Sequence, residues 1–287
     1  MKNISLIISL VFTVFTLNGV SKTNDIMQYT IEDGLSHNKI NCIFQDSYGY
    51  LWIGTNDGLN RYDGYNFIIY RYYHDNSLTI SNNIITSISE DEYGNIWVGT
   101  YGGLNKYLRK SKSFIRYFCQ FDNPNSLTSN YIQDVLCDKN GFVWIKTDGG
   151  FDKLNIETGT ISNFSFYVDV FNPSASENSS SILKDKEGRF WIGTKDGLNY
   201  FNSQLELFER HSLNLSAKDN NILKVYQDKS ERLWLGTMEG LYLFDPESKG
   251  FTGFLPAKND LANFSNIIND IYEDRDDNLW IDRKSVV

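Results

Sequence analysis

Three cysteines and three histidines are all that 287 residues offer for thiol or imidazole chemistry. Cys42, Cys119 and Cys137 are odd in number and scattered, which excludes a disulfide framework. They read as buried thiols acting as small hydrophobes. His37, His74 and His211 lie far apart with no Cys/His ligand spacing, so no metal is expected. Only His37 stands on a strand-connecting stretch that would face a central opening. Basic runs are missing and the formal net charge is −9, which argues against nucleic-acid contact by this segment. There is no Gly-rich phosphate loop and no nucleophile elbow, and no cofactor is expected. One long apolar run exists, Ile4 to Leu17, between Met1-Lys-Asn and Asn18-Gly-Val-Ser21. It is short of the about 20 residues a membrane span needs, and residues 1–21 read as a signal peptide, with an uncleaved N-terminal anchor as the alternative.

Aromatic residues, by contrast, make up 15% of the chain. The six tryptophans are Trp52, Trp97, Trp144, Trp191, Trp234 and Trp280, spaced by 45, 47, 47, 43 and 46 residues. Each lies in one short phrase, fullest in Asp46-Ser-Tyr-Gly-Tyr-Leu-Trp-Ile-Gly-Thr-Asn-Asp-Gly-Leu59. Six residues before each Trp stands an aspartate: Asp46, Asp91, Asp138, Asp185, Asp228 and Asp274. Three before it stands Gly49, Gly94, Gly141 or Gly188, but Glu231 and Asp277 in the last two copies. Asp-x-x-Gly is turn chemistry, because Asp bonds nearby backbone and Gly takes positive φ. The aspartates therefore read as backbone caps and not as a ring of carboxylates. A Trp-bearing strand, a Gly-rich turn and two further strands follow, the last rich in aromatics.

Four strands in a repeat of this length make a propeller blade. The expected fold is an all-β propeller, with five complete repeats and a truncated sixth in an incomplete ring of seven blades. Met27-Gln-Tyr-Thr-Ile31 reads as an orphan fourth strand able to seal such a ring. The linkers are alike: Ser77-Leu-Thr-Ile-Ser-Asn82 pairs by pattern with Ser126-Leu-Thr-Ser-Asn130, and Gly34-Leu-Ser-His-Asn38 is their counterpart. In the sixth repeat Asp282-Arg-Lys-Ser-Val-Val287 replaces Gly-Thr. That hexapeptide is what a sequencing-adapter oligonucleotide encodes, so residues 282–287 read as a non-native tail, with a longer reading frame expected.

The phrase Asp-x-x-Gly-x-Leu-Trp-Ile-Gly-Thr-x-x-Gly-Leu-Asn resembles the two-component regulator propeller repeat, over residues 22–281. Glu32-Asp-Gly-Leu-Ser-His-Asn38 and Asn60-Arg-Tyr-Asp-Gly64 resemble the start of hybrid two-component sensors of glycan-degrading Bacteroidetes-type gut bacteria. The chain departs from the pattern at Lys146, Phe151, Glu231 and Asp277. The resemblance implies a periplasmic sensing region that detects a glycan fragment and signals to a histidine kinase in downstream domains, with the full-length protein a homodimer. No catalytic residue is expected in this segment.

A rigid repeat leaves recognition to its loops. After the common Thr, the turn varies as Asn56, Tyr101, Asp148, Lys195 and Met238. Tyr101 could stack on a sugar, while Asn56, Asp148 and Lys195 supply hydrogen bonds. His37, Asn82 and Asn130 in the linkers complete the ligand-binding candidates. Two other functions stay open: a secreted propeller lyase or glycosidase, which needs paired carboxylates or a His/Tyr pair, and a protein-interaction propeller.

Overall fold

The computed structural model describes residues 28–138, 140–164, 181–195, 197–202, 207–211, 213, 221–254 and 264–285. The described residues form five four-stranded antiparallel sheets and one two-stranded sheet. The first unit is β1 (Ile40–Gln45), β2 (Leu51–Thr55), β3 (Gly58–Tyr62) and β4 (Phe67–Tyr70). The second is β5 (Ile85–Glu90), β6 (Ile96–Thr100), β7 (Gly103–Leu108) and β8 (Ser113–Tyr117). The third is β9 (Ile132–Cys137), β10 (Phe142–Thr147), β11 (Phe151–Asn155) and β12 (Ile161–Phe164). The fourth is β13 (Ile182–Lys184), β14 (Phe190–Thr194), β15 (Gly197–Asn202) and β16 (Leu207–His211). The fifth is β17 (Ile222–Gln227), β18 (Leu233–Thr237), β19 (Leu241–Asp245) and β20 (Gly250–Phe254), and β21 (Phe264–Glu273) and β22 (Leu279–Ser285) form the sixth.

Within a unit each strand pairs with the next in sequence. Between units the first strands pack on one another, β1 on β5, β5 on β9, β9 on β13, β13 on β17 and β17 on β21. This is a propeller with the first strand of each blade innermost. β12 completes the third blade as expected of a four-stranded repeat, with Phe164 as the aromatic of its fourth strand. The expected orphan strand does not form over Gln28–Thr30, and Ile31–Asp33 is a 3-10 turn. Asp33 accepts from the Thr30 N–H and Thr30 Oγ1 from the Glu32 N–H, which satisfies that backbone locally and removes its need for a sheet partner. Met27 lies outside the described residues.

The Asp-x-x-Gly turn is held by one carboxylate with three tasks. Asp46 Oδ1 accepts from the N–H groups of Tyr48 and Tyr50, and Oδ2 accepts from Trp52 Nε1 at 2.7 Å. The same indole bond recurs at Trp97, Trp144, Trp191, Trp234 and Trp280, between 2.7 and 2.9 Å. Gly49, Gly94, Gly141 and Gly188 take φ near +80 to +90°, and Glu231 and Asp277 keep this left-handed geometry at +68° and +63°.

Each indole packs into the core of the following blade. Trp52 joins Ile85, Ile88, Ile96 and Tyr107, and Trp97 joins Val135, Val143 and Leu154. The glycine two residues on makes that approach possible. A Cβ on Gly54 would lie 2.7 Å from Ile85 Cγ2, and on Gly99 equally close to Ile132 Cγ2. Ile222 and Ile268 crowd Gly193 and Gly236 in the same way. Trp280 departs from the pattern of buried indoles. It makes its Asp274 bond yet is 63% exposed, because no further unit packs on it among the described residues. The three thiols are partly buried, Cys42 against the core between the first two blades and Cys119 and Cys137 against the next.

Two stability predictions follow from this frame. Trp97→Ala should cost about 3–5 kcal/mol in urea unfolding and Trp280→Ala less than about 1 kcal/mol; equal losses would mean that the inter-blade contact is not what matters. Glu231→Gly should raise stability by about 0.5–1 kcal/mol by relieving a left-handed side-chain-bearing residue, and a lower melting temperature would contradict it.

Candidate functional site

The turns between the second and third strands and the linkers into the next blade lie on one face. Gly58 N donates to Asn83 O, and Gly103 N to Asn130 O, both at 2.7 Å. A buried polar cluster fixes each linker to its blade. Ser36 N donates to Asn60 Oδ1, Asn60 Nδ2 donates to Ser36 Oγ, and the hydroxyls of Ser36 and Thr55 meet at 2.8 Å. Ser81, Thr100 and Asn105 repeat this in the second blade, and Thr128, Thr147 and Asp152 in the third. The linkers therefore align as Leu35-Ser36-His37-Asn38, Ile80-Ser81-Asn82-Asn83 and Leu127-Thr128-Ser129-Asn130. That corrects the sequence pairing of Ser77-Leu-Thr with Ser126-Leu-Thr, since a buried apolar residue and a hydroxyl facing Thr define the register. The Thr three residues after the Trp, and the Asn or Asp eight residues after it in the first three units, carry this cluster. Their recurrence at fixed spacing from Trp was the available signal.

The candidates separate once the geometry is known. His37, Asn82 and Ser129 occupy one repeat position and make one bond, accepting from the N–H two residues on. Asn130 Oδ1 accepts from Cys119 N, as Asn83 does from Tyr72 N and Asn38 from Ile31 N. His37, Asn82 and Asn130 thus serve the loop backbone. Asn56, Tyr101 and Asp148 are drawn into one arc. Asn41 Nδ2 bridges Asn56 Oδ1 and Ile85 O, Tyr101 N donates to Ile84 O, and Asp148 N donates to Tyr131 O. The Tyr101 and Tyr131 rings meet at 4.3 Å between centroids. Lys195 is exposed on its own turn in the fourth blade.

The structural aspartates are also charge-matched. Arg109 of the second blade reaches Asp46 and Glu90 at 2.9 Å, and Lys184 of the fourth reaches Asp138 of the third at 3.4 Å. Asp185 and Asp228 hold Arg189 and Arg232, and Asp91 lies 4.0 Å from Lys106. Asp274, in the exposed turn, is held down to about 2 by its bonds from Trp280 and Asn278. Burial raises the carboxyls of Asp134 and Asp152, and both have their two oxygens engaged. Asp134 accepts from Ser87 Oγ, Val135 N and Ile182 N, and Asp152 from Asn163 and Thr128. Neither is placed to move a proton to a substrate.

Lys146 stands where other blades have the glycine of Trp-x-Gly-Thr. It is 5% exposed, paired across β9 with Asp134, and its Nζ donates to Gln133 Oε1 at 2.6 Å. Burial depresses its ammonium to about 7, against partial compensation from Asp134 and Asp148. At the sequence position matching Ile85, Ile132, Ile222 and Ile268, the next repeat has Ser179, so Lys and Ser replace the usual Gly and Ile.

Comparison with known proteins gives these repeats a family. The model of the two-component regulator propeller matches residues 34–57, 79–102, 126–149, 173–196 and 264–282. The chain is built from two-component regulator propeller repeats. The fifth unit, around Trp234, lies outside the match, and it carries Glu231 for Gly and Tyr242 for the buried Asn. An extracellular domain described as that of a hybrid two-component system from B. thetaiotaomicron superposes with a TM-score of 0.73 at 27% identity, covering 90% of this chain and 34% of its own. The extracellular domain of a one-component system of the same organism gives 0.67 at 24%, over 86% and 33%. Histidine kinase P4 of Formosa agariphila is 36% identical over 83 residues, 28% of this chain and 6% of the kinase. Virginiamycin B lyase from Staphylococcus aureus, at 12% identity and a TM-score of 0.62 over 85% of this chain and 77% of its own, shares the fold alone. The chain spans about a third of the length of these two extracellular domains. Among the described residues no helix is long and apolar enough to cross a membrane.

Lys146 yields a pH prediction with a definite sign. Its folded value of about 7 lies below the ordinary 10.5, so between them the unfolded chain binds more protons and stability rises with pH. The penalty is full below about pH 7 and gone above about 10.5. Lys146→Met should therefore be more stable than the parent at neutral pH by on the order of a few kcal/mol, with the gap closing toward pH 10. Urea titrations across that range check it, and a gap that widens with pH would refute it.

Proposed function

We propose that this chain is a periplasmic ligand-sensing propeller of a hybrid two-component sensor, responding to a glycan fragment. The observation that carries the reading is the likeness to an extracellular domain of a hybrid two-component system over 90% of the chain. The stretch shared with a histidine kinase supports the same assignment. In this reading the signal passes to a kinase in downstream domains of a homodimeric parent. Binding shifts such a dimer only if the ligand has different affinity for its two arrangements. The propeller contributes a rigid frame whose face of turns and linkers meets the ligand, and the chemistry of phosphoryl transfer lies elsewhere in the parent.

Titration calorimetry of the complete ectodomain against a panel of oligosaccharides tests the proposal. The expected result is saturable heat with one glycan class and, in the full-length sensor, a change in kinase autophosphorylation at the same ligand concentrations. No heat with any glycan would remove the carbohydrate from the proposal, and binding without a change in kinase activity would remove the sensing.

A further inference from the structure

The arc at the first three blades has a chemistry narrower than the word glycan. Asn41 and Asn56 are joined at 2.9 Å at its first-blade end, and the Tyr101–Tyr131 pair spans the junction of the second and third blades. Asp148 closes the other end through its bond to Tyr131 O. Asn41 and Asp148 are exposed, Asn56 and Tyr131 are half-buried, and Tyr101 is 39% exposed. None of the five is cationic. The nearby Arg71 is spent on Asp57 at 3.0 Å, the Lys146 ammonium is buried against Gln133, and the exposed Lys39 stands at the first blade's counterpart of the Tyr131 position, outside the Tyr101–Tyr131 junction.

The blade scaffold does not ask for either tyrosine. The Tyr101 position holds Asn56, Asp148, Lys195 and Met238 in the other units, and the Tyr131 position holds Lys39, Ile84 and Asn221. Both positions fix their backbone through the bond that joins the turn to the inner strand, as in Tyr101 N to Ile84 O, Asp148 N to Tyr131 O and Met238 N to Asn221 O. Two large rings meet at a half-exposed rim where polar residues fit equally well.

Resting on the sensor reading above, we infer that this arc is a subsite for a neutral pyranoside, with the Tyr101–Tyr131 pair as the stacking platform. An aromatic face matches the C–H face of a sugar ring, and amide and carboxylate groups match its hydroxyls. A uronate or sulfated sugar needs guanidinium or ammonium partners, and here it meets Asp148 instead. Asn41 and Asn56 bracket the platform on one side and Asp148 on the other, which sets two directions of hydroxyl recognition around a single stacked ring.

The test is calorimetry on the 287-residue chain with neutral glucan, mannan and xylan oligosaccharides beside galacturonate and sulfated oligosaccharides. The inference expects binding of a neutral class, a loss of about tenfold or more in affinity for Tyr101→Ala/Tyr131→Ala, and affinity within about threefold for Tyr101→Phe/Tyr131→Phe, since the ring and not the hydroxyl does the stacking. Thermal melts of both variants separate lost binding from lost fold. Preference for the acidic sugars, or a neutral sugar bound equally well by the folded alanine variant, would overturn the subsite and leave the sensor reading standing. Absence of heat with every oligosaccharide would overturn the subsite, and the ectodomain titration above then decides whether the carbohydrate falls with it.

Discussion

A buried indole N–H must find an acceptor, and the architecture follows from where that acceptor sits. Trp is the largest side chain available to fill the gap between twisted blades, but its nitrogen cannot be left unpaired in that core. A carboxylate six residues earlier reaches it, because the intervening turn folds the chain back at that distance. The carboxylate is itself buried and would be costly without further partners. Two backbone N–H groups of the same turn supply them, as Tyr48 and Tyr50 do for Asp46, and a cation completes the set for the first five aspartates. One residue thus caps a turn, anchors an indole and ties a charge, so a change at that residue reaches the turn, the strand and the junction together.

The innermost strands pose a second problem, since one edge of each lacks a strand partner and its N–H groups must be satisfied by other means. The neighbouring blade provides them with side chains. Ser87 and Ser89 accept from Val135 and Cys137 N–H, Asp134 accepts from Ile182 N–H, and Ser181 accepts from Val225 N–H. Ser87, Asp134 and Ser181 share a place on their strands, facing the Gly or Lys two residues after Trp in their own blade. At Cys42 there is no oxygen to accept, and at Lys224 the link becomes an ion pair with Asp270 at 2.7 Å. The hydrophobic face joins the blades by area and shape, and this inner row fixes their height relative to one another. Lys146 enters the same row from β10, where an amine can be buried because it faces Asp134 and Gln133.

The sequence makes the Trp, Asp and Gly positions legible because each is demanded by a backbone conformation or a large buried ring, and such demands recur at a fixed spacing. It carries the fold class and the units around all six tryptophans for the same reason. It does not show the 3-10 turn at Ile31–Asp33, where two side chains win the backbone from a sheet. The linker register is hidden by a repeated Ser-Leu-Thr that is local coincidence, while the hydroxyl that matters lies elsewhere in the same stretch. Tyr131 escapes notice because nothing in its own repeat connects it with Tyr101. Their contact exists only after adjacent blades are stacked.

Variation between repeats is a poor guide to recognition until the hydrogen bonds are known. His, Asn and Ser stand at 37, 82 and 129, three chemistries that look selected for different ligands, yet all three make the same bond to the N–H two residues on. The position tolerates any short acceptor, and its diversity is that of equivalent solutions. The position after the common Thr differs in kind. There the backbone is committed, through the N–H of Tyr101, Asp148 and Met238 to carbonyls of the inner strand, while the side chains share no partner from blade to blade. A fixed Cα whose side chain has no partner common to the repeat is the arrangement that lets one frame present different groups at set places around an axis. The distinction rests on which atoms the scaffold uses. Side chains that cap the loop backbone are set by the scaffold, whereas those after the common Thr meet a different neighbour in each blade, as Asn56 meets Asn41 and Tyr101 meets Tyr131.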